Sequence, residues 1–535
     1  MREAVRIGID VGGTNTDGVL MSGTEVLAST KAATSQDVRS GVVETITRLL
    51  DDWRGPRDRI EAVMIGTTQF VNAFVERRGL EPVAIFRIAL PRGKGVPPMA
   101  GWPRDLVQSL GAHIYMVRGG AFYTGREYIP LDEAGLRQAA LDAHAKGLRS
   151  AVICATFAPM RPDLEVRAAA IVSAAMPDTR ITLSAEVGGL GLIDRENASI
   201  INASLALLSR RVVTSLTAAF RDADVRAPIY LSQNDGTLIT TEIAERFPIL
   251  TCSAGPTNSI RGAAFLTNIE DAVVADIGGT TTDIGFLSKG FPRETTAPNH
   301  IGGVRTNLRM PDVLSVGLGG GSILRNVGDG GALTIGPDSV GFRLREQARV
   351  FGGDTLTTTD IAVRAGQATI GDPSRVAHLP DSLVATALDA IHHRIEEAID
   401  QVKTSARPMP LILVGGGHIL VSRHLRGTSK VLRPRYAEVA NAVGAAIALV
   451  SGRVERMYDL AASGRAGALE AAKNAAIAAA VQAGAQPGAV EIIDVSEMPM
   501  THMKSGSVQI RVRAAGPLAA LALTARRAPE AEIAR

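Results

Sequence analysis

Cysteine is nearly missing from this sequence: 535 residues hold two, Cys154 and Cys252. Both sit in apolar runs (Ala-Val-Ile-Cys-Ala and Ile-Leu-Thr-Cys-Ser), which excludes a disulfide framework and predicts buried free thiols in a reducing compartment. Aromatic residues are scarce at 4%, so a base-stacking surface is not expected. Neither sign of charge dominates: the net charge is +3, with no basic tract of the kind that binds nucleic acid. No uninterrupted apolar run is long enough to span a bilayer, and the N-terminus enters a strand without a signal-peptide pattern. The expectation is a cytoplasmic protein with neither nucleic acid nor membrane as partner. Its length predicts more than one domain, and 46% hydrophobic with 21% charged residues is ordinary for a globular chain.

Glycine, by contrast, is abundant at 55 residues, and two glycine turns organise the chain. Residues 273–287 read Val-Val-Ala-Asp-Ile-Gly-Gly-Thr-Thr-Thr-Asp-Ile-Gly-Phe-Leu, and residues 7–20 read Ile-Gly-Ile-Asp-Val-Gly-Gly-Thr-Asn-Thr-Asp-Gly-Val-Leu. Asp10 matches Asp276, and Asp17 matches Asp283 seven residues on. Each stretch reads as a hairpin with paired glycines at its turn. Glycine lets another group approach the backbone, and hydroxyls with backbone N–H groups suit phosphate oxygens. Carboxylates beside such a turn suit a hydrated Mg²⁺. One copy reads equally well as a plain turn; two in matched register predict two related lobes facing one cleft.

Elsewhere, strands and helices alternate, which predicts an α/β architecture. A helix is expected over 37–53, and a strand over 62–65 runs into Gly66-Thr67-Thr68, then Asn72. That is where open α/β folds place ligands, although Thr67 or Thr68 serves equally as a helix cap. Residues 91–130 read as a loop-bearing insertion. Glu186 precedes a glycine-rich turn and Asp194-Arg195-Glu196-Asn197, followed by one long helix over 198–220. A third glycine turn, 315–322, offers backbone N–H groups at Gly319 and Gly320. A strand over 411–414 delivers Gly415-Gly416-Gly417, where the lack of side chains leaves room for adenosine. The tail from 456 reads as a small subdomain with an Ala-rich helix and two strands.

This order of turns resembles the actin, sugar-kinase and heat-shock-chaperone ATPase superfold, in which two ribonuclease-H-like lobes enclose a nucleotide. Gly66-Thr67-Thr68, Ser184-Ala-Glu186, Arg195-Glu196-Asn197, Gln233-Asn234-Asp235-Gly236, Ser253-Ala-Gly255-Pro256, Asp276–Asp283, Gly317–Ser322 and Gly336-Pro337-Asp338-Ser339 are similar to the A (ATP-binding) subunit of the hydantoinase/oxoprolinase family. The chain departs from the family at residues 343–351, Arg-Leu-Arg-Glu-Gln-Ala-Arg-Val-Phe, where a Pro-Gly-Pro-Ala-Cys-like stretch is common. The resemblance implies an N-terminal lobe over 1–188, a C-terminal ATPase lobe over 189–455 and an α/β extension over 456–535. It implies an ATP-dependent hydrolase subunit that phosphorylates the carbonyl of a cyclic amide for ring opening with a second subunit. A small-molecule kinase with Glu186 or Asp194 as base, or an ATP-driven switch, are the alternatives. Asp10 and Asp276 are then expected to position Mg²⁺ through water, with Asp283 supporting. Gly12, Gly13, Thr14, Asn15, Thr16, Gly278, Gly279, Thr280 and Thr281, with Gly319 and Gly320, are expected on the ATP phosphates. Gly415, Gly416 and Gly417 are expected on adenosine, and Thr67, Thr68, Asn72 and Glu186 on the substrate.

Overall fold

The computed structural model describes residues 4–13, 15–33, 38–295, 298–325, 333–499 and 507–519. Strands β1 (Val5–Val11), β2 (Asn15–Ser22) and β3 (Glu25–Ala33) form an antiparallel meander. β4 (Ile60–Thr67) lies parallel to β1, and β9 (Ile229–Ser232) lies parallel to β4. A second sheet repeats this wiring. In it, β11 (Ala272–Ile277) pairs antiparallel with β12 (Thr282–Ser288) and parallel with β17 (Met409–Val414). β18 (Thr428–Leu432) lies parallel beyond β17. β13 (Phe291–Pro292) and β16 (Val313–Val316) run antiparallel to β12. Both sheets therefore centre on a strand with a hairpin partner on one side and a parallel neighbour on the other.

Packing on both faces explains the near-continuous apolar runs of the central strands. Val5, Ile7, Ile9 and Val11 are all at most 1% exposed. Helix α1 (Val38–Trp53) brings Val42, Ile46 and Leu49 to one face at helical spacing. The opposite face of β1 takes helix α9 (Ala440–Ala446) so closely that a β-carbon at Gly8 would lie 2.2 Å from the Ala442 carbonyl oxygen.

A four-stranded parallel sheet is inserted between β4 and β9. Its order is β8 (Arg180–Leu183), β7 (Ser150–Ala155), β5 (Val83–Leu90), β6 (His113–Arg118). Helices α3 (Glu133–Ala145) and α4 (Pro162–Ala175) cover it with Leu136, Ala140, Leu164 and Ala168. The segment 91–130, expected as irregular, thus contributes β6 to a sheet and a short helix over Arg104–Leu110. The expected long helix is two, α5 (Leu192–Ser204) and α6 (Ala206–Asp222), joined at Leu205.

The expected boundaries at 188 and 455 differ from the sheet pairing. β9 and β10 (Thr237–Thr240), in the segment assigned to a second lobe, extend the first sheet through β4. β19 (Leu449–Asp459) crosses position 455 without a break and pairs with β10. β21 (Ser507–Gly516) and β20 (Glu491–Pro499) then complete a nine-stranded sheet. The tail is therefore the edge of the first sheet. Its helix α10 (Leu460–Gln482) lays fully buried Ala468, Ala472, Ala476 and Ala480 against these strands. Among the described residues no helix is long and apolar enough to cross a membrane.

Candidate active site

The two hairpins superimpose in register as well as in sequence. Asp10 pairs with Asp17 across the first, and Asp276 with Asp283 across the second. The Gly12 N–H donates to the Asn15 carbonyl at 3.0 Å, and the Gly278 N–H donates to the Thr281 carbonyl at 2.8 Å. Gly13 faces open space. Thr14 lies outside the described residues.

Each central strand needs a glycine beside its aspartate. A β-carbon at Gly66 on β4 would lie 2.3 Å from Asp10 Oδ1, and one at Gly415 after β17 would lie 2.3 Å from Asp276 Oδ1. Helix α7 (Ala254–Thr267) ties the two sites together through adjacent residues. Ser259 donates its hydroxyl to Asp276 Oδ2, while the amide of Asn258 lies against Asp10. On α9, Asn441 donates to Asp10 Oδ2 at 3.0 Å and to Asp17 Oδ2 at 2.9 Å. Lys31 on β3 meets Asp17 at 2.5 Å, and Ser315 donates to Asp283.

This crowding of carboxylates controls their protonation. Burial, then the charges of Asp17 and Asp276, push Asp10 up to about 7. Burial raises Asp276 as well, and burial with the Asp276 charge pushes Asp283 up to about 6. Asp10 Oδ1 is buried without a hydrogen-bond partner. A cluster of this kind calls for a cation or for protons. Among the described residues no three His, Cys, Asp or Glu side chains are placed to hold a metal directly, so a cation here would keep water in its shell, as Mg²⁺ does. The all-oxygen donor set and the orphaned Asp10 oxygen fit that ion.

Other expected residues divide. Thr67 pairs with Val11 beside the first turn and is 1% exposed, but its hydroxyl accepts the Gln69 N–H just before helix α2 (Gln69–Val75), whose N-cap is Thr68. The Thr68 N–H reaches the Val11 carbonyl at 3.4 Å, and Asn72, one turn on, donates to the Thr68 hydroxyl. Glu186 is not with them. It sits after β8, an edge strand of the inserted sheet, and its carboxylate takes a bidentate contact from Arg246 at 2.7 Å. Thr16 is buried on β2, and Thr280 and Thr281 form the rim of the second turn.

The third glycine turn has a different job from the one expected. The Gly320 and Gly321 N–H groups donate to the carbonyls of Gly278 and Gly279 at 3.0 and 2.7 Å, and the Gly319 N–H donates to Ser322 Oγ. These donors are consumed inside the protein. The loop braces the second hairpin from behind, and Thr358 and Thr359 hold it in turn through the Gly319 and Gly320 carbonyls. Gly417 packs similarly, since a β-carbon there would lie 3.0 Å from the Gly278 oxygen; Gly416 alone of the 415–417 run faces open space. Asn441, Asn258, Ser259 and Lys31 were not foreseen. Asn258 and Ser259 follow the Ser253–Pro256 motif without being part of it, and Asn441 between Ala440 and Ala442 offers only its polarity.

The hydantoinase/oxoprolinase N-terminal region model matches residues 6–176, and the hydantoinase/oxoprolinase model matches residues 195–369. The chain belongs to the hydantoinase/oxoprolinase family. Within the family it is 26% identical over 430 residues to caprolactamase subunit alpha of Pseudomonas jessenii, covering 74% of this chain and 59% of that one. It is also 26% identical over 390 residues to the acetone carboxylase beta subunit of Xanthobacter autotrophicus, covering 67% and 54%. The matched regions span little more than half the length of these relatives. The crystal structure of ATP-dependent caprolactamase from Pseudomonas jessenii has the same fold, with a TM-score of 0.73 at 19% identity over 95% of this chain and 87% of that one. The protein is thus an α/β member of the family with the fold of that caprolactamase.

Proposed function

We propose that this chain is the ATP-binding subunit of a cyclic amidase, which phosphorylates the carbonyl oxygen of a lactam, oxoproline or hydantoin ring. The observation that carries the reading is the pair of register-matched hairpins that meet at a carboxylate cluster through α7 and α9. The turns 12–16 and 278–281 would take the β- and γ-phosphates on backbone N–H and hydroxyl groups, and Gly416 would border adenosine. Asp10 and Asp276 would hold Mg²⁺ through water, with Asp283 in support. When bound, that ion neutralises phosphate charge.

In-line transfer then needs positioning and charge compensation more than covalent help. A lone pair of the amide oxygen forms the new O–P bond as the bond from phosphorus to the bridging oxygen of ADP breaks. Water adds to the activated carbon in a partner subunit, and the C–N bond breaks as the nitrogen takes a proton, leaving an acyl phosphate; a second water attacks its carbonyl carbon and releases phosphate together with the original carbonyl oxygen. An amide oxygen needs no general base for the first step. The base candidates for an alcohol kinase, Glu186 and Asp194, are both held by arginines, Arg246 and Arg305.

Equal identity to a caprolactamase and to an acetone carboxylase subunit supports a second reading, activation of a ketone for carboxylation. The two separate in one assay: phosphate release from MgATP with lactams, hydantoins, oxoproline, ketones and alcohols, with and without the protein encoded beside this one. Stimulation by cyclic amides, with ring-opened product only when the partner is present, is expected. Stimulation by ketones alone, with bicarbonate required, would replace the amide reading with the carboxylase one.

A further inference from the structure

The start of α5 lies between the inserted parallel sheet and a cleft. The order of that sheet, β8-β7-β5-β6, starts in the middle: the chain leaves β5 for β6 on one side, then returns to β7 and β8 on the other. The junction of β5 and β7 is therefore a switch point, where loops leaving the carboxyl ends part and open a crevice. The first turn of α5 sits over these ends, since Arg195 donates to the carbonyl of Ala155, the last residue of β7, and Glu196 pairs with Arg87 near the end of β5. On the other side of this helix turn, a cleft of about 550 Å³ lies between the 100–102 loop, the start of α5 and the hairpin of β14 (Asn299–Ile301) and β15 (Val304–Thr306).

Buried polar groups hold all three walls. Arg87 and Glu196, 1% and 0% exposed, form a bidentate pair, and Arg87 also holds the Val96 carbonyl of the first wall. Asn197 accepts the Trp102 indole N–H at 2.9 Å and donates to the Arg305 carbonyl at 2.9 Å. Desolvation roughly cancels what a buried ion pair gains, so this one contributes placement more than stability. In the cleft itself, Asp194 and Arg305 stand side by side at 3.2 Å, with Trp102 and Leu192 as apolar wall.

We propose that this cleft binds a planar cyclic cis-amide, with Asp194 accepting from the ring N–H and Arg305 donating to the adjacent carbonyl. A small ring forces N–H and C=O onto one edge, which an acceptor and a donor side by side can read together. An open-chain amide is trans and points the two groups apart, while a ketone or an N-alkyl lactam has no N–H. The ligand class rests on the amide reading above. Trp102 packs edge-on to Phe74 with centroids 6.2 Å apart, near the end of α2, whose start lies at Thr67 and Thr68.

Trp53 is the other of the two tryptophans, so Trp53→Phe leaves Trp102 as the sole indole reporter. This variant would be titrated without nucleotide with 2-pyrrolidinone, hydantoin, N-methylpyrrolidinone, cyclopentanone and N-methylacetamide. A saturable change of emission with the first two is expected, and binding at least tenfold weaker for the other three, the loss of one charge-assisted hydrogen bond. Asp194→Ala and Arg305→Ala should each weaken 2-pyrrolidinone at least tenfold; the ligand series itself leaves the cleft unaltered. Absence of saturable binding, or equal binding of N-methylpyrrolidinone, would overturn the site. ATP turnover stimulated by lactams without an N–H-dependent signal at Trp102 would remove the site and leave the activity standing. N–H-dependent binding without stimulated turnover would uphold the site and remove the activity.

Discussion

Asp10 shows how the free protein and its working state want opposite things. Its carboxyl sits near 7 because burial and two neighbouring carboxylates oppose ionisation. The folded state therefore binds more protons than the unfolded state between about pH 4 and 7, and stability falls as pH rises through that window. Above pH 7 the full penalty is present, a shift of about 3 pK units or on the order of 4 kcal/mol. Asp10→Asn removes the charge and should raise the melting temperature at pH 8, with no difference at pH 4, when thermal unfolding is followed at both. Magnesium nucleotide should expel the Asp10 proton. Calorimetry at pH 6.5 in buffers of different ionisation enthalpy should then show proton release on binding; uptake would contradict a cation beside Asp10. Asp276→Asn should cut ATP turnover at least 100-fold, and near-unchanged turnover in a folded variant would rule out its metal role.

Helices α7 and α9 cross at two glycines, and the crossing sets the site. A β-carbon at Gly262 would lie 1.8 Å from the Ala440 carbonyl oxygen, and one at Gly444 would lie 1.8 Å from that of Asn258. Alanine normally stabilises a helix over glycine by about 1 kcal/mol. Here it must push apart two backbones that carry Asn258, Ser259 and Asn441. Gly444→Ala should therefore destabilise by about 1–3 kcal/mol and lower ATP turnover as well, read by denaturant melts and phosphate release. A stabilised, fully active variant would show that the crossing is not tight. At this scale the hairpins were legible in the sequence, because two copies of Asp-x-Gly-Gly seven residues before a second Asp admit few other readings. The role of Gly319 and Gly320 was not, because a glycine pattern does not tell whether its N–H groups face outward or are consumed by a neighbouring turn. Nothing local marked Asn441 as the residue that joins Asp10 to Asp17.

For the whole molecule, the alternation of strands and helices and the spacing of the motifs were enough to place the chain in its family and fold class. The segment boundaries were not legible. β9, β10 and the C-terminal strands return to the first sheet after long excursions, and pairing of that kind leaves no local trace. In the proposed reaction this chain activates the carbonyl and a partner completes the chemistry. Oxygen-18 in the carbonyl of the most stimulating cyclic amide tests that assignment most directly. With MgATP and the partner protein, one labelled oxygen is expected in each inorganic phosphate released. Ring opening that yields unlabelled phosphate would show that the carbonyl oxygen does not leave with phosphorus, and would contradict the assignment.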